Sequence, residues 1–128
     1  MKYISDFGIA NTSQYPYVAR NQRCMMNGGN FKIKSFESPK GCSGLLNDIK
    51  IKPISIMADA SNWALYKSGV FNSCRAIVNH CGLLVGIDEI GNWKVKNSWG
   101  IAWGEGGFIR LAAGNTCGIC ISGGIYPS

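Results

Sequence analysis

The chain has 128 residues, 46% of them hydrophobic, with 13 Lys and Arg against 7 Asp and Glu, a formal charge of +6. This length and apolar share suit a folded domain rather than a disordered segment, and no apolar run reaches the roughly 18 residues of a membrane-spanning helix, so no membrane insertion is expected. The basic residues are scattered from Lys2 to Arg110 without a block of like charge, which reads as a solvated surface, and no nucleic-acid partner is expected.

In chain order, residues 1–7 read as the end of a helix stopped by Gly8. They lack the apolar stretch of a secretory signal. Asn11, Thr12, Ser13 and Pro16, then Asn27-Gly28-Gly29-Asn30, read as loop. Residues 31–36 alternate apolar and polar, which predicts a half-buried strand. Ser43 is the expected cap of a short helix with Leu45, Leu46 and Ile49 on one face, ended by Pro53. Ile54–Ala58 reads as a strand, and residues 62–67 as one or two helical turns stopped by Gly69. Residues 82–88 form an apolar strand bounded by the turn signal Gly91-Asn92. Residues 93–99 alternate, with Trp93, Val95 and Asn97 on one face. A last short strand covers residues 108–112. The expected fold is α+β or mostly β, a small antiparallel sheet or barrel with minor helices.

Six cysteines are many for a chain this short in a reducing compartment. They point to a secreted, lysosomal or vacuolar location, and the sequon Asn11-Thr12-Ser13 is compatible with that route.

His80 is the only histidine. A hairpin running from it through Gly91-Asn92 brings Asn97 back opposite Leu83, close to the imidazole. An amide bonded to one ring nitrogen fixes the tautomer and leaves the other free for proton transfer. On spacing alone, a structural histidine and a strand-end asparagine fit equally well.

Two strings carry more. Asn79-His80-Cys81-Gly82-Leu83-Leu84-Val85-Gly86, and Trp93-Lys94-Val95-Lys96-Asn97-Ser98-Trp99-Gly100-Ile101-Ala102-Trp103-Gly104-Glu105-Gly106-Gly107-Phe108-Ile109-Arg110, closely resemble the papain family of cysteine proteases, which includes the cathepsins. Shorter matches at Tyr15-Pro16-Tyr17, Pro53-Ile54-Ser55-Ile56, Tyr66-Lys67-Ser68-Gly69-Val70-Phe71, Cys117-Gly118 and Tyr126-Pro127 extend the likeness over essentially the whole chain.

The resemblance implies a peptide-bond hydrolase acting on protein or peptide substrates without a cofactor. His80 corresponds to the histidine that pairs with a cysteine thiolate. Asn97 corresponds to the asparagine that orients the imidazole, and Trp99 to the tryptophan that shields their bond; this Cys-His-Asn set is a known variant of the serine triad. Met57, Val78, Cys81 and Ser122 would line the pocket for the second side chain upstream of the cut. Cys74 and Cys117 match a family disulfide, and Cys24 a cysteine whose partner lies in an upstream segment. Cys42, Cys81 and Cys120 have no assigned partner; Cys117-x-x-Cys120 with His80-Cys81 is a scattered set for zinc.

The family's nucleophile sits in a C-G-[SA]-C-[WY] signature roughly 130–150 residues before the His and Asn, which falls upstream of Met1. No such signature occurs here. The implied arrangement is a remnant of the helical left domain over residues 1–30 and the papain-like right domain, a β-barrel-like sheet with short helices, over 31–128. The expected partner is therefore an N-terminal half carrying the catalytic cysteine. A processed chain, an incompletely read gene and a noncatalytic descendant kept for binding all fit the missing signature.

Overall fold

The computed structural model describes all 128 residues, which form two compact units: residues 1–37 with 127–128, and residues 38–126. In the first, helix α1 (Lys2–Phe7) ends at Gly8, whose φ of 76° breaks the helical path while its N–H donates to the Ile4 carbonyl at 3.0 Å. The strand expected over residues 31–36 does not form. Ile9 and Phe31 make a single bridge, and only β1 (Phe36–Glu37) is extended into a strand. The alternation fails here because it has nothing to bury against: Phe31 stays 57% exposed.

The second unit opens with α2 (Gly41–Asp48). Its cap is Lys40, with no side-chain cap, and Ser43 lies inside the first turn rather than before it. The start is set instead by Gly41, whose positive φ of 63° turns the chain inward, and by Cys42, which is joined to Cys120. Leu45 and Ile49 are buried and Leu46 packs against the core, so the apolar stripe is as expected. The helix ends before Pro53: the N–H groups of Ile51 and Lys52 both turn back to the Asp48 carbonyl.

Six strands follow: β2 (Ile54–Ala58), β3 (Val70–Phe71), β4 (His80–Ile87), β5 (Trp93–Lys96), β6 (Phe108–Leu111) and β7 (Gly124–Pro127). They lie in the order β7-β2-β4-β5-β6-β3. The β7-β2, β2-β4, β4-β5 and β5-β6 pairs are antiparallel, and edge strand β3 runs parallel to β6. The result is an open mixed sheet with few helices. Its inner face carries Ile54, Ile56, Leu84, Trp93, Val95, Ile109 and Leu111, each at most 2% exposed. This is the period-two burial that the β2 and β5 sequences encode.

Residues 62–67 are not helical. Trp63 N–H bonds to Ala60 O and Tyr66 N–H to Trp63 O, a pair of successive turns that bury both aromatic rings. A register shift between Leu84 and Gly86 inserts one residue into β4. Leu83 therefore pairs with Lys96, and the ladder leads to Gly82, not Leu83, opposite Asn97. A short 3₁₀ segment (Thr116–Gly118) contains Cys117, bonded to Cys74.

Candidate functional site

His80 is the first residue of β4, and Asn97 is the first residue after β5. Adjacent antiparallel strands bring together side chains 17 residues apart, and His80 Nε2 lies 2.8 Å from Asn97 Oδ1. The Ser98 N–H also donates to that oxygen, at 2.8 Å. An atom that takes a backbone N–H is an acceptor, so the amide orientation is fixed and Nε2 must carry the proton. His80 Nδ1 is then the basic nitrogen. Asn97 is held from its backbone as well, donating its N–H to Gly107 O at 2.9 Å, and it is only 8% exposed.

Aromatic rings surround this pair. The Trp99 ring centroid lies 5.2 Å from that of His80, and Trp99 packs edge-on against Trp103 at 5.1 Å. Trp99 itself is 42% exposed, so it forms the outer wall. The inner wall is Trp63, fully buried and edge-to-face with His80 at 5.8 Å. Its carbonyl accepts the Trp103 indole N–H at 3.2 Å, which ties the two walls together. Apolar cover of this kind lowers the local dielectric and strengthens the His–Asn bond.

The pocket residues expected from the sequence are only partly gathered. Met57 and Cys81 are direct cross-strand partners on the outer face of β2 and β4, and both are exposed. Val78 is half-buried in the segment before β4, and exposed Ser122 precedes β7. Beside Asn97 a shallow depression of about 280 Å³ is lined by Cys81, Ser55, Lys96 and Ser98; Met57, Val78 and Ser122 take no part in it.

Of the cysteines, Cys74 is bonded to Cys117 as the resemblance implied. Cys42 and Cys120, left unassigned from sequence, form a second disulfide across 78 residues. Both members of Cys117-x-x-Cys120 are thus engaged, so the alternative zinc set has no thiolates there. Cys24 and Cys81 are free and exposed.

Two residues near the pair carry no mark in the sequence. Trp63 lies in a stretch that reads as ordinary helix. Asp59 is 1% exposed and holds its carboxyl down at about 2, through the Ser61 hydroxyl first and then the surrounding backbone N–H groups. A buried acid flanked by Ala58 and Ala60 gives no sequence signal of its partners.

Comparison with known proteins matches this arrangement to one family. The description "Papain family cysteine protease" fits residues 1–125. Cathepsin L 2 of Paramecium tetraurelia is 40% identical over 93% of the chain, and cathepsin S of Bos taurus 38% identical over 98%. The chain spans only 38% and 41% of those two proteins. A crystal structure of a Carica candamarcensis cysteine protease in complex with E-64 superposes with a TM-score of 0.86 at 30% identity, over 99% of this chain and 65% of that one. The mostly-sheet unit thus has the fold of the papain-like right domain, and the chain belongs to the papain family of cysteine proteases.

Proposed function

We propose that this chain is the histidine- and asparagine-bearing part of a papain-like cysteine endopeptidase, active when joined to an N-terminal half that carries the nucleophile and inactive alone. The observation that carries the reading is the 2.8 Å bond from His80 Nε2 to Asn97 Oδ1, with Nδ1 left unpartnered. In the joined enzyme, Nδ1 takes the proton from the cysteine thiol, giving a thiolate–imidazolium pair. The thiolate attacks the scissile carbonyl, the peptide C–N bond breaks, and His80 returns the proton to the leaving amine. Water, activated by the same nitrogen, then cleaves the acyl-enzyme thioester and restores the thiol.

Within this reading Trp99 shields the His–Asn bond from water. Residues 1–30 belong to the helical left domain, residues 31–128 to the right. Cys24 would pair with a cysteine of the missing half. Met57, Val78, Cys81 and Ser122 would form the pocket for the second residue upstream of the cut. With no acidic group among them, that pocket favours Leu, Val or Phe over Arg, because an unpaired cation there is costly. Two disulfides suit a lysosomal, vacuolar or secreted setting.

The test has two arms. Intact mass and N-terminal sequencing of the native protein show whether sequence precedes Met1. The 128-residue chain should not turn over a fluorogenic peptide, whereas a fusion to a nucleophile-bearing N-terminal half should, and His80→Ala should abolish that turnover. His80-dependent turnover by the chain alone, or a fusion indifferent to His80, would sink the proposal.

A further inference from the structure

We infer that Asp59 is a positioning residue for His80: its buried side chain bolts the loop leaving β2 to the segment entering β4, and so sets the imidazole against Asn97. The inference rests on reading His80 and Asn97 as the catalytic pair. Asp59 accepts from Ser61 N–H at 3.0 Å and from Arg75 N–H at 2.8 Å. The nearby Ser61 hydroxyl and Ile77 N–H also favour the ionised form. A carboxylate so surrounded by donors stays ionised although buried, without a cation beside it.

The backbone closes a ring around this hub. Asp59 N–H donates to Cys117 O at 2.8 Å, and Cys117 is disulfide-bonded to Cys74, the neighbour of Arg75. Asn79 supplies a second clamp. Its Oδ1 accepts from Ala60 N–H at 2.9 Å, its Nδ2 donates to Ser61 Oγ at 2.8 Å, and its own N–H reaches Ala58 O at 3.1 Å. Residues 59–61 are thereby fastened to residues 75 and 79, and the next residue is His80. Ala58 and His80 are themselves cross-strand partners.

Hydrophobic burial alone does not require this arrangement. An apolar side chain at position 59 would fill the same space but would leave the Ser61 and Arg75 N–H groups without acceptors. The hub fixes the direction from which the chain enters β4, and that direction decides where the imidazole stands. Misplacement by about 1 Å at a reacting group can lower a rate on the order of a hundredfold.

Because His80 is the only histidine, its ring nitrogens can be read without overlap in the ¹⁵N-labelled 128-residue chain. The variants are Asp59→Asn, which puts an amide N–H₂ against N–H donors, and Asn79→Ala and Ser61→Ala, which touch exposed residues of the clamp. At temperatures where each is folded by circular dichroism, Asp59→Asn and Asn79→Ala should broaden the Nε2–H signal through water exchange. Their ring shifts should move toward mixed tautomers, with Ser61→Ala intermediate. In the fusion enzyme kcat should fall roughly tenfold or more with KM within about twofold. If melting temperatures drop while ring shifts and Nε2–H exchange stay as in the parent chain, Asp59 is structural only and the inference is overturned. Should Asp59→Asn fail to fold, Asn79→Ala decides by the same criterion. A fusion indifferent to His80→Ala would remove the catalytic reading instead, and would leave the ring measurements on Asp59 standing.

Discussion

Gly82 and Val95 occupy one space between β4 and β5. A Cβ placed on Gly82 would stand 2.8 Å from Val95 Cγ1, closer than carbon atoms approach without displacement. Having no side chain, Gly82 leaves the inner sheet face open beside His80. The structure fills that opening with the Val95 side chain, which lies between Trp93 and Asn97 on the same face of the chain. Gly82 thus lets β5 seat deeply enough for Asn97 to reach the imidazole.

Gly82→Ala should therefore destabilise the chain by about 1–3 kcal/mol, the usual range for overpacking a full core. It should also loosen the His80–Asn97 bond, seen as faster Nε2–H exchange. The double variant with Val95→Ala should recover part of the loss, because the second change vacates the contested space. Purely additive effects in a denaturant-melt cycle would show that the two residues do not compete.

The thiol inventory makes a second prediction. Peptide mapping without reduction should find Cys42–Cys120 and Cys74–Cys117, and thiol labelling of the native chain should modify Cys24 and Cys81 alone. With sequence separations of 78 and 43, the chain-entropy account assigns each bridge about 4–4.5 kcal/mol. Reduction should accordingly lower the denaturation midpoint sharply. Four or more labelled cysteines in an oxidised sample would contradict the pairing.

The legible parts of the sequence are those where a local period meets a buried face. Ile54–Ala58 alternates and is a strand with those bounds, and Trp93, Val95 and Asn97 share a face as their spacing requires. Residues 31–36 alternate as cleanly yet form no ladder, since alternation describes a strand's two faces and supplies no neighbour to bond with. The extra residue in β4 is hidden because an all-apolar run reads the same in either register, and the predicted partner of Asn97 is therefore off by one. Cys42–Cys120 and the Asp59 hub depend on groups far away in the chain, which composition and spacing cannot pair. His80 and Asn97 stand out through the family strings around them, whereas their bond follows from the hairpin.

Acid should expose the role of Glu105. Arg110 donates to it from Nε at 2.9 Å and from Nη2 at 2.7 Å, and the Gly69 N–H adds a third bond at 2.8 Å. The Arg110 bonds, chiefly, hold its carboxyl down from the ordinary 4.5 to about 2. A carboxyl depressed in the folded state stabilises above its unfolded value and loses that contribution as pH falls through the folded one. The pair is partly solvated, so the contribution is on the order of 1 kcal/mol after screening. Glu105→Gln should then be less stable than the parent chain at neutral pH, with the gap closing between about pH 4.5 and 2. A gap independent of pH would assign the loss to packing.

Trp63 offers the sharpest separation of shape from polarity near His80. Its side chain is fully buried, and its indole N–H has no acceptor. A buried donor left unpaired costs about 1–3 kcal/mol. Trp63→Phe removes that donor and keeps a ring, but it leaves a void where the second ring lay, and voids of this kind cost a similar amount. The two effects oppose, so the net change should stay within about 1 kcal/mol. Trp63→Ala has no such compensation and should cost about 3–5 kcal/mol. The edge-to-face contact with His80 gives a second reading of the same pair of variants. Phe can preserve it, and the Nε2–H signal should persist; Ala cannot, and the imidazole should gain freedom and exchange faster. If Trp63→Phe alone costs more than about 2.5 kcal/mol, the indole N–H has a partner, such as an ordered water, and the inner wall of the site is polar where it now reads as apolar.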